Sequence, residues 1–300
     1  MNFVMTLSDT QIAAMKMYYK EALVKNPKGP ISAQIKLKEL VITIYHTGTV
    51  MFQGKQAEEA FFFWHESFDI TPATFKSEPN RIHEFYMHSI GSDESGVGDY
   101  FGPLTVCAAY VSDEHVAFLK TLNIKDSKLL SDQYIEKIGV KLSQNIPYSL
   151  LVLDNKKYND MIIKGYNANK LKAYLHAQCH KNLIKKIGHR PMVIVDQFSE
   201  EATYMRYLKH FDDAVKPDLL LPKAESHYAS VAVASIIARY AFIQHLKTLS
   251  QDVGMELHKG ASKKVDEQVA YIIKHHGERI LNQIAKVHFT TTQKGKDLIK

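Results

Sequence analysis

Four carboxylates stand where this chain can least easily carry a charge without using it: Asp93, Glu94, Asp196 and Glu225. Asp93 and Glu94 are adjacent in "IGSDESGVGDYFGPLTV", residues 90–106, at the end of an apolar approach and just ahead of Gly96, Gly98 and Gly102. Asp196 closes the apolar run "PMVIVD", where a charge is costly unless it is at a rim or compensated. Glu225 follows "LLLP" in "KAESHYASVAVASIIA", just ahead of a helix. Taken singly, each is explained as well by a surface turn, a helix cap or a rim salt bridge. Taken together at three ends of one sheet, they can converge on one point, and mutual repulsion then demands cations. An all-oxygen donor set selects hard ions, Mg²⁺ or Mn²⁺, and Mg²⁺ shares its shell with substrate phosphates. The chemistry this suggests is phosphodiester hydrolysis with two divalent ions about 4 Å apart.

The glycines fit that chemistry. A backbone stripped of side chains at Gly96 and Gly98 lets main-chain amides approach a sugar or phosphate beside the metals. A dinucleotide-binding loop is the nearest rival, but the third glycine, Gly102, comes one place too late and no helix opens there.

These residues need elements to hold them. The apolar runs "LTVCAAYV", "YSLLVLD", "PMVIVDQF" and "DLLL" read as strands, alternating with the helical "NANKLKAYLHAQCHKNLIKKIG" and "YASVAVASIIARYAFIQHLKTL". This is an α/β domain with a buried sheet, and "YMHSI" is its first strand, ending before the acidic pair. The C-terminal "ERILNQIAKVHFTTTQKGKDLIK" reads as helix, loop and a frayed basic end. Ahead of this domain, "NFVMTL", the helical "DTQIAAMKMYYKEAL" and the alternating "SAQIKLKELVITIYHTGTVMFQG" predict a sheet with one wet face, turning at Thr47-Gly48. A second helix is expected across "KQAEEAFFFWHESF", with "FFFW" in its core. Pro72 and Pro79 break the pattern, so the division runs 1–72, a linker over 73–83, and 84–300.

Composition narrows the class. The chain has 38 basic against 32 acidic residues, a net charge of +6 that leans towards a polyanionic partner. No signal-peptide pattern and no apolar run of membrane-spanning length is read, and two cysteines are too few for a disulfide framework. A cytoplasmic protein with no membrane partner is expected. The histidines show no zinc-ligand spacing, and His227 is given a structural role ahead of one in proton transfer.

"GSDESGVGDYFGPLTVCAAYV", "KDSKLLSD", "VIVDQF" and "KAESHYASVAVASIIAR" together resemble, in order and spacing, the type 2 ribonucleases H, the HIII subclass most closely, over about residues 84–295. The resemblance implies an RNase H-like domain, a mixed sheet flanked by helices, that cleaves the RNA strand of RNA/DNA hybrids with two divalent ions and leaves 3′-hydroxyl and 5′-phosphate ends. It implies that Asp93, Glu94, Asp196 and Glu225 hold the metals, Glu at the fourth position matching HIII where HII usually has Asp. It places the ribose-reading backbone on Gly96-Val97-Gly98, with Ser95 and Val97 where relatives often have Val and Thr, and makes Lys128 and Lys223 phosphate contacts, a solvated surface charge being the alternative for each. The N-terminal segment resembles the HIII extension, a small α+β domain similar in fold to the TATA-binding protein that helps bind the hybrid; a packing module is the alternative. A monomer is expected. Two other readings stay open: HII-like incision at a single ribonucleotide in duplex DNA, and a non-catalytic hybrid-binding protein.

Overall fold

The alternation of apolar and polar residues near the N-terminus does build strands. The computed structural model describes residues 2–24, 30–57, 60–61, 64, 68, 85–122, 124, 130–209 and 211–299. In it the chain divides into two units, Met1–Arg81 and Ile82–Lys300. The linker expected over 73–83 and the phosphate contact expected at Lys128 lie outside the described residues.

In the first unit, β1 (Asn2–Thr6), β2 (Ile31–Lys36), β3 (Val41–Tyr45) and β4 (Thr49–Gln53) form an antiparallel sheet in the order β1-β4-β3-β2. The β3–β4 hairpin turns at Gly48, whose φ of +81° suits glycine. Helix α1 (Asp9–Tyr18) starts at a reciprocal capping box between Ser8 and Gln11 and gives way to a 3₁₀ turn at Lys20–Ala22, sooner than its periodicity suggests. Met5, Ile35, Ile42, Ile44, Val50 and Phe52 bury one face of the sheet. The other face carries the cross-strand row Val4, Met51, Thr43 and Gln34, with Val4 exposed. Of the helix expected over 55–68, Ala57, Ala60, Phe61 and Trp64 are helical, and Phe61 and Trp64 join the core as expected.

The second unit is built on β5 (Ser89–Ser95), β6 (Leu104–Val111), β7 (Tyr148–Leu153), β8 (Met192–Asp196) and β9 (Leu219–Leu221), ordered β7-β6-β5-β8-β9. The β5–β6 and β6–β7 pairs are antiparallel, whereas β5–β8 and β8–β9 are parallel, so the sheet is mixed. Its helices are α2 (Asp113–Thr121), α3 (Asp132–Asn145), α4 (Asn155–Ile163), α5 (Ala168–Ile187), α6 (Glu201–Leu208), α7 (Ala229–Asp252), α8 (Lys263–His276), α9 (Leu281–Ile284) and α10 (Thr290–Asp297). Strand β6 is buried on both faces, Val106 packing in a cluster with Leu171 and Leu183 of α5, and Cys107 and Ala109 in one with α7. The small residues of α7 let it lie on the sheet: a Cβ added at Gly91 of β5 would meet Val231 N at 2.2 Å.

Two readings of the sequence change here. Helix α7 has an 18-residue window of mean hydropathy 1.3, long and apolar enough to cross a bilayer, but 72% of that window is buried within the protein. The basic C-terminal end is not frayed: it forms α10, whose Gly295 sits so close to α8 that a Cβ there would meet Val269 Cγ1 at 2.4 Å.

Candidate active site

Strand β5 runs through the acidic pair to Ser95 instead of stopping before it. Successive strand residues point to opposite faces, so the neighbours Asp93 and Glu94 face different helices. Asp93 shares the α7 face with Gly91, and Ser235 of α7 hydrogen-bonds its carboxyl. Glu94 shares the α5 face with Ser92. There Lys172 Nζ donates to Glu94 Oε1 at 2.9 Å, and His176 Nε2 lies 2.9 Å from Oε2.

The two carboxyls therefore behave oppositely. Burial, then the charges of Glu94 and Asp196, push Asp93 up to about 8. Burial also pushes Glu94 upwards, but the His176 and Lys172 contacts outweigh it and hold the carboxyl below its ordinary value. The clamp is itself braced: His176 Nδ1 lies 2.7 Å from Ser92 Oγ, His180 Nε2 lies 2.8 Å from the same oxygen, and the Lys172 ammonium sits 4.0 Å from the centre of the Phe198 ring.

Asp196 joins from the parallel neighbour. Ser92 pairs with Val195, so the next residue of each strand is an aspartate. Its Oδ1 accepts from Ala224 N at 2.9 Å, an amide presented by Lys223 in the left-handed region at φ +57°. A lysine held there is strained backbone beside Asp196. Glu225, 3% exposed, lies on the 3₁₀ turn Ala224–Ser226 that leads into α7.

These residues open onto a groove of about 410 Å³ lined by Asp93, Glu94, Asp196 and the turn Ser95–Asp99, with Ser235 and Arg239 on its α7 side. Three of the four predicted acids thus meet there with Gly96, Val97 and Gly98, while Glu225 and Lys223 are not part of the lining. Lys223 is exposed, as is His227. The glycines divide their work. A Cβ at Gly96 would strike Pro103 O at 2.2 Å and its φ is +89°, so the fold itself requires glycine there. Around Gly98 nothing lies within 4 Å of an added Cβ, which leaves its backbone open to a substrate. Val97 turns its side chain into the core cluster of Ile90 and Leu104.

The donor set fits hard divalent cations. It is oxygen-only, and burial, with the charges of Glu94 and Asp196 added, raises Asp93 so that a cation is needed for all of them to stay ionised. Among the described residues no group of three His, Cys, Asp or Glu side chains stands arranged to hold a metal ion by itself.

A family model described as Ribonuclease HII matches residues 90–292, and one described as a domain of unknown function (DUF3378) matches residues 2–74. The chain is 43% identical to Ribonuclease HIII of Bacillus pumilus over 98% of both chains, and 40% identical to Ribonuclease HIII of Staphylococcus haemolyticus over 99% of this chain and 98% of that one. This chain belongs to the ribonuclease HIII family. Among solved structures, Bst-RNase HIII in complex with Mn²⁺ is 37% identical, with a TM-score of 0.72 over 100% of this chain and 99% of that one. The ribonuclease H2 of Pyrococcus horikoshii, 22% identical with a TM-score of 0.56 over 71% of this chain, shares the fold. The ribonuclease HIII fold is thus present over the whole chain, the small antiparallel-sheet unit included. What the sequence reading of this family member missed is the clamp on Glu94: Lys172 and His176 lie 78 and 82 residues from it. The one available signal was the i, i+4 spacing of Lys172, His176 and His180 along a helix whose neighbouring residues are mostly apolar.

Proposed function

We propose that this chain is an endoribonuclease that hydrolyses the RNA strand of RNA/DNA hybrids by a two-metal mechanism, leaving 3′-hydroxyl and 5′-phosphate ends. The observation that carries the reading is the crowding of Asp93 against Glu94 and Asp196 beside the open backbone of Gly98. Asp93, Glu94, Asp196 and Glu225 hold the divalent ions, Mg²⁺ or Mn²⁺; Bst-RNase HIII, similar over the whole chain, has been crystallised with Mn²⁺. When bound, such ions lower the pKa of water and neutralise charge developing on the phosphodiester. Lys172 and His176 keep Glu94 ionised and aimed, and Ala224 N orients Asp196. The amides of Gly96 to Gly98 read the ribose 2′-hydroxyl, the group that separates RNA from DNA. Lys128 and Lys223 contact phosphate. Residues 1–72 form a substrate-binding domain that presents the sheet face opposite its core to the hybrid, 73–83 a linker and 84–300 the catalytic domain. The protein works as a cytoplasmic monomer without a membrane partner; its two cysteines are buried and free.

The test compares cleavage of a full RNA/DNA hybrid with that of a DNA duplex carrying one ribonucleotide, in Mg²⁺ and in Mn²⁺, with Asp93→Asn alongside. Cutting the hybrid alone, abolished in Asp93→Asn with hybrid binding retained, is the expected result. Efficient cutting at the single ribonucleotide would move the assignment to HII-like incision. Substantial turnover by Asp93→Asn would refute its role as a metal ligand.

A further inference from the structure

A lysine that water cannot reach sits behind the groove. Lys286, on the segment between α9 and α10, has 0% exposure. Burying an ammonium costs several kcal/mol unless its protons are used, so a lysine kept at such a position has work to do. Its Nζ donates to two main-chain carbonyls of one loop, Asp99 O at 2.9 Å and Gly102 O at 2.6 Å. Those carbonyls belong to the loop that continues from Gly96-Val97-Gly98 into β6.

The same loop is sewn to this part of the chain at several other points. Lys286 N donates to Tyr100 O at 2.8 Å, and Gly102 N to Ile284 O at 2.9 Å. Phe101 bridges Ala285 in antiparallel fashion. Asn155 Nδ2, from the start of α4, gives Gly102 O a second donor at 2.8 Å. On the far side, Asp99 Oδ1 accepts from Gly260 N at 2.6 Å, and Tyr100 N donates to Gly260 O at 2.9 Å. The left-handed turn at Gly102, φ +85°, brings its carbonyl round to both side chains. Backbone pairs alone fix the loop along one edge; the lysine fixes the chain at Asp99 and at Gly102, spanning the turn.

We propose that Lys286 is a positioning residue for cleavage: by tying the Asp99 and Gly102 carbonyls it sets the height of the Gly96–Asp99 turn, and with it the place of the amides that meet the substrate ribose. The proposal rests on the reading of Gly96 to Gly98 as the ribose-sensing backbone. Lys286 acts through the loop and lies behind it, away from the groove lining. Two N–H groups are all that the two carbonyls require. Burial lowers the lysine to about 7 against the opposing charge of Asp99, and the neutral amine still supplies both.

The experiment compares wild type with Lys286→Met, which keeps the length and loses the donors, and with Lys286→Gln, whose amide again offers two N–H groups. Three quantities are read: amide hydrogen exchange over residues 96–102 without substrate, Mn²⁺ binding by calorimetry, and kcat and KM on a hybrid with ribose or deoxyribose at the scissile nucleotide. Lys286→Met is expected to speed exchange in the loop, leave Mn²⁺ affinity within about twofold, and lower kcat on the all-ribose hybrid by about 10- to 100-fold with a reduced preference for ribose, which Lys286→Gln partly restores. Should Lys286→Met not fold, Asn155→Leu removes the other donor to Gly102 O and is expected to shift kcat and ribose preference the same way by a smaller factor. A lower Tm with unchanged ribose preference and unchanged kcat, or equal loss in the Met and Gln variants, would overturn the proposal. A wild type blind to the 2′-hydroxyl would instead sink the functional reading beneath it.

Discussion

At the scale of the residue, adjacency in sequence does not mean a shared environment. Asp93 and Glu94 are neighbours, yet one is held protonated by burial and by acids, and the other ionised by Lys172 and His176. The pleat sends them to different helices, and that alone separates two chemically similar groups. The consequence for stability has a definite sign. Folded Asp93 keeps its proton up to about pH 8, while in the unfolded chain it is lost near the ordinary value of 3.8. Between those limits the native state binds more protons, so stability falls as pH rises through the window. With metals removed by chelator, Asp93→Asn is expected to melt higher than wild type at pH 8, by at least about 4 °C for a gain of about 2 kcal/mol or more, and to show no gain near pH 4. Melting curves at the two pH values check this; equal Tm values at pH 8 would mean that Asp93 carries no uncompensated burial.

At the scale of the element, the site depends on how closely α7 lies on β5. Gly91 makes that contact: a Cβ there would meet Val231 N at 2.2 Å and Ser230 C at 2.4 Å, backbone atoms that cannot swing aside. Ser89 Oγ and Ser230 Oγ, 2.8 Å apart, hold the same interface at the same point of the helix. Gly91→Ala is therefore expected to destabilise by about 3 kcal/mol or more and, in whatever fraction folds, to displace Ser235 from Asp93. Urea denaturation measures the first effect and Mn²⁺ calorimetry the second; a loss under about 1 kcal/mol would show that the helix yields easily. The serines and alanines of α7 let it lie close to the sheet, but which strand residue they meet is not written in that run. A glycine in a strand has several explanations until the helix above it is seen.

At the scale of the whole molecule, the two units keep separate hydrophobic cores in the described residues, Met5 to Phe68 in one and Phe85 onwards in the other. Each buries its own apolar surface, so the C-terminal unit does not need the N-terminal sheet to fold. A fragment of residues 82–300 is expected to fold, to retain kcat within about threefold, and to raise KM for the hybrid by at least about tenfold if the N-terminal unit binds substrate. Steady-state kinetics on the fragment decides it: an unchanged KM would reduce that unit to a folding or packing module.

The α/β class and the main buried strands were legible in the chain, because burial periodicity and the cost of charge at the end of an apolar run act locally, but the end of the first strand was not: β5 continues through Asp93 and Glu94. The sequence also marked Gly96 to Gly98 as an exposed approach, although glycine required by the fold at 96 and glycine left open at 98 look the same in one dimension. Which groups compensate those acids could be read from the folded arrangement alone. The Lys172 and His176 clamp reaches Glu94 across 78 and 82 residues, and Lys286 reaches Gly102 across 184. A hydrogen bond is short-ranged in space and indifferent to chain separation, so no spacing rule could pair these residues before the sheet and its two covering helices were in place.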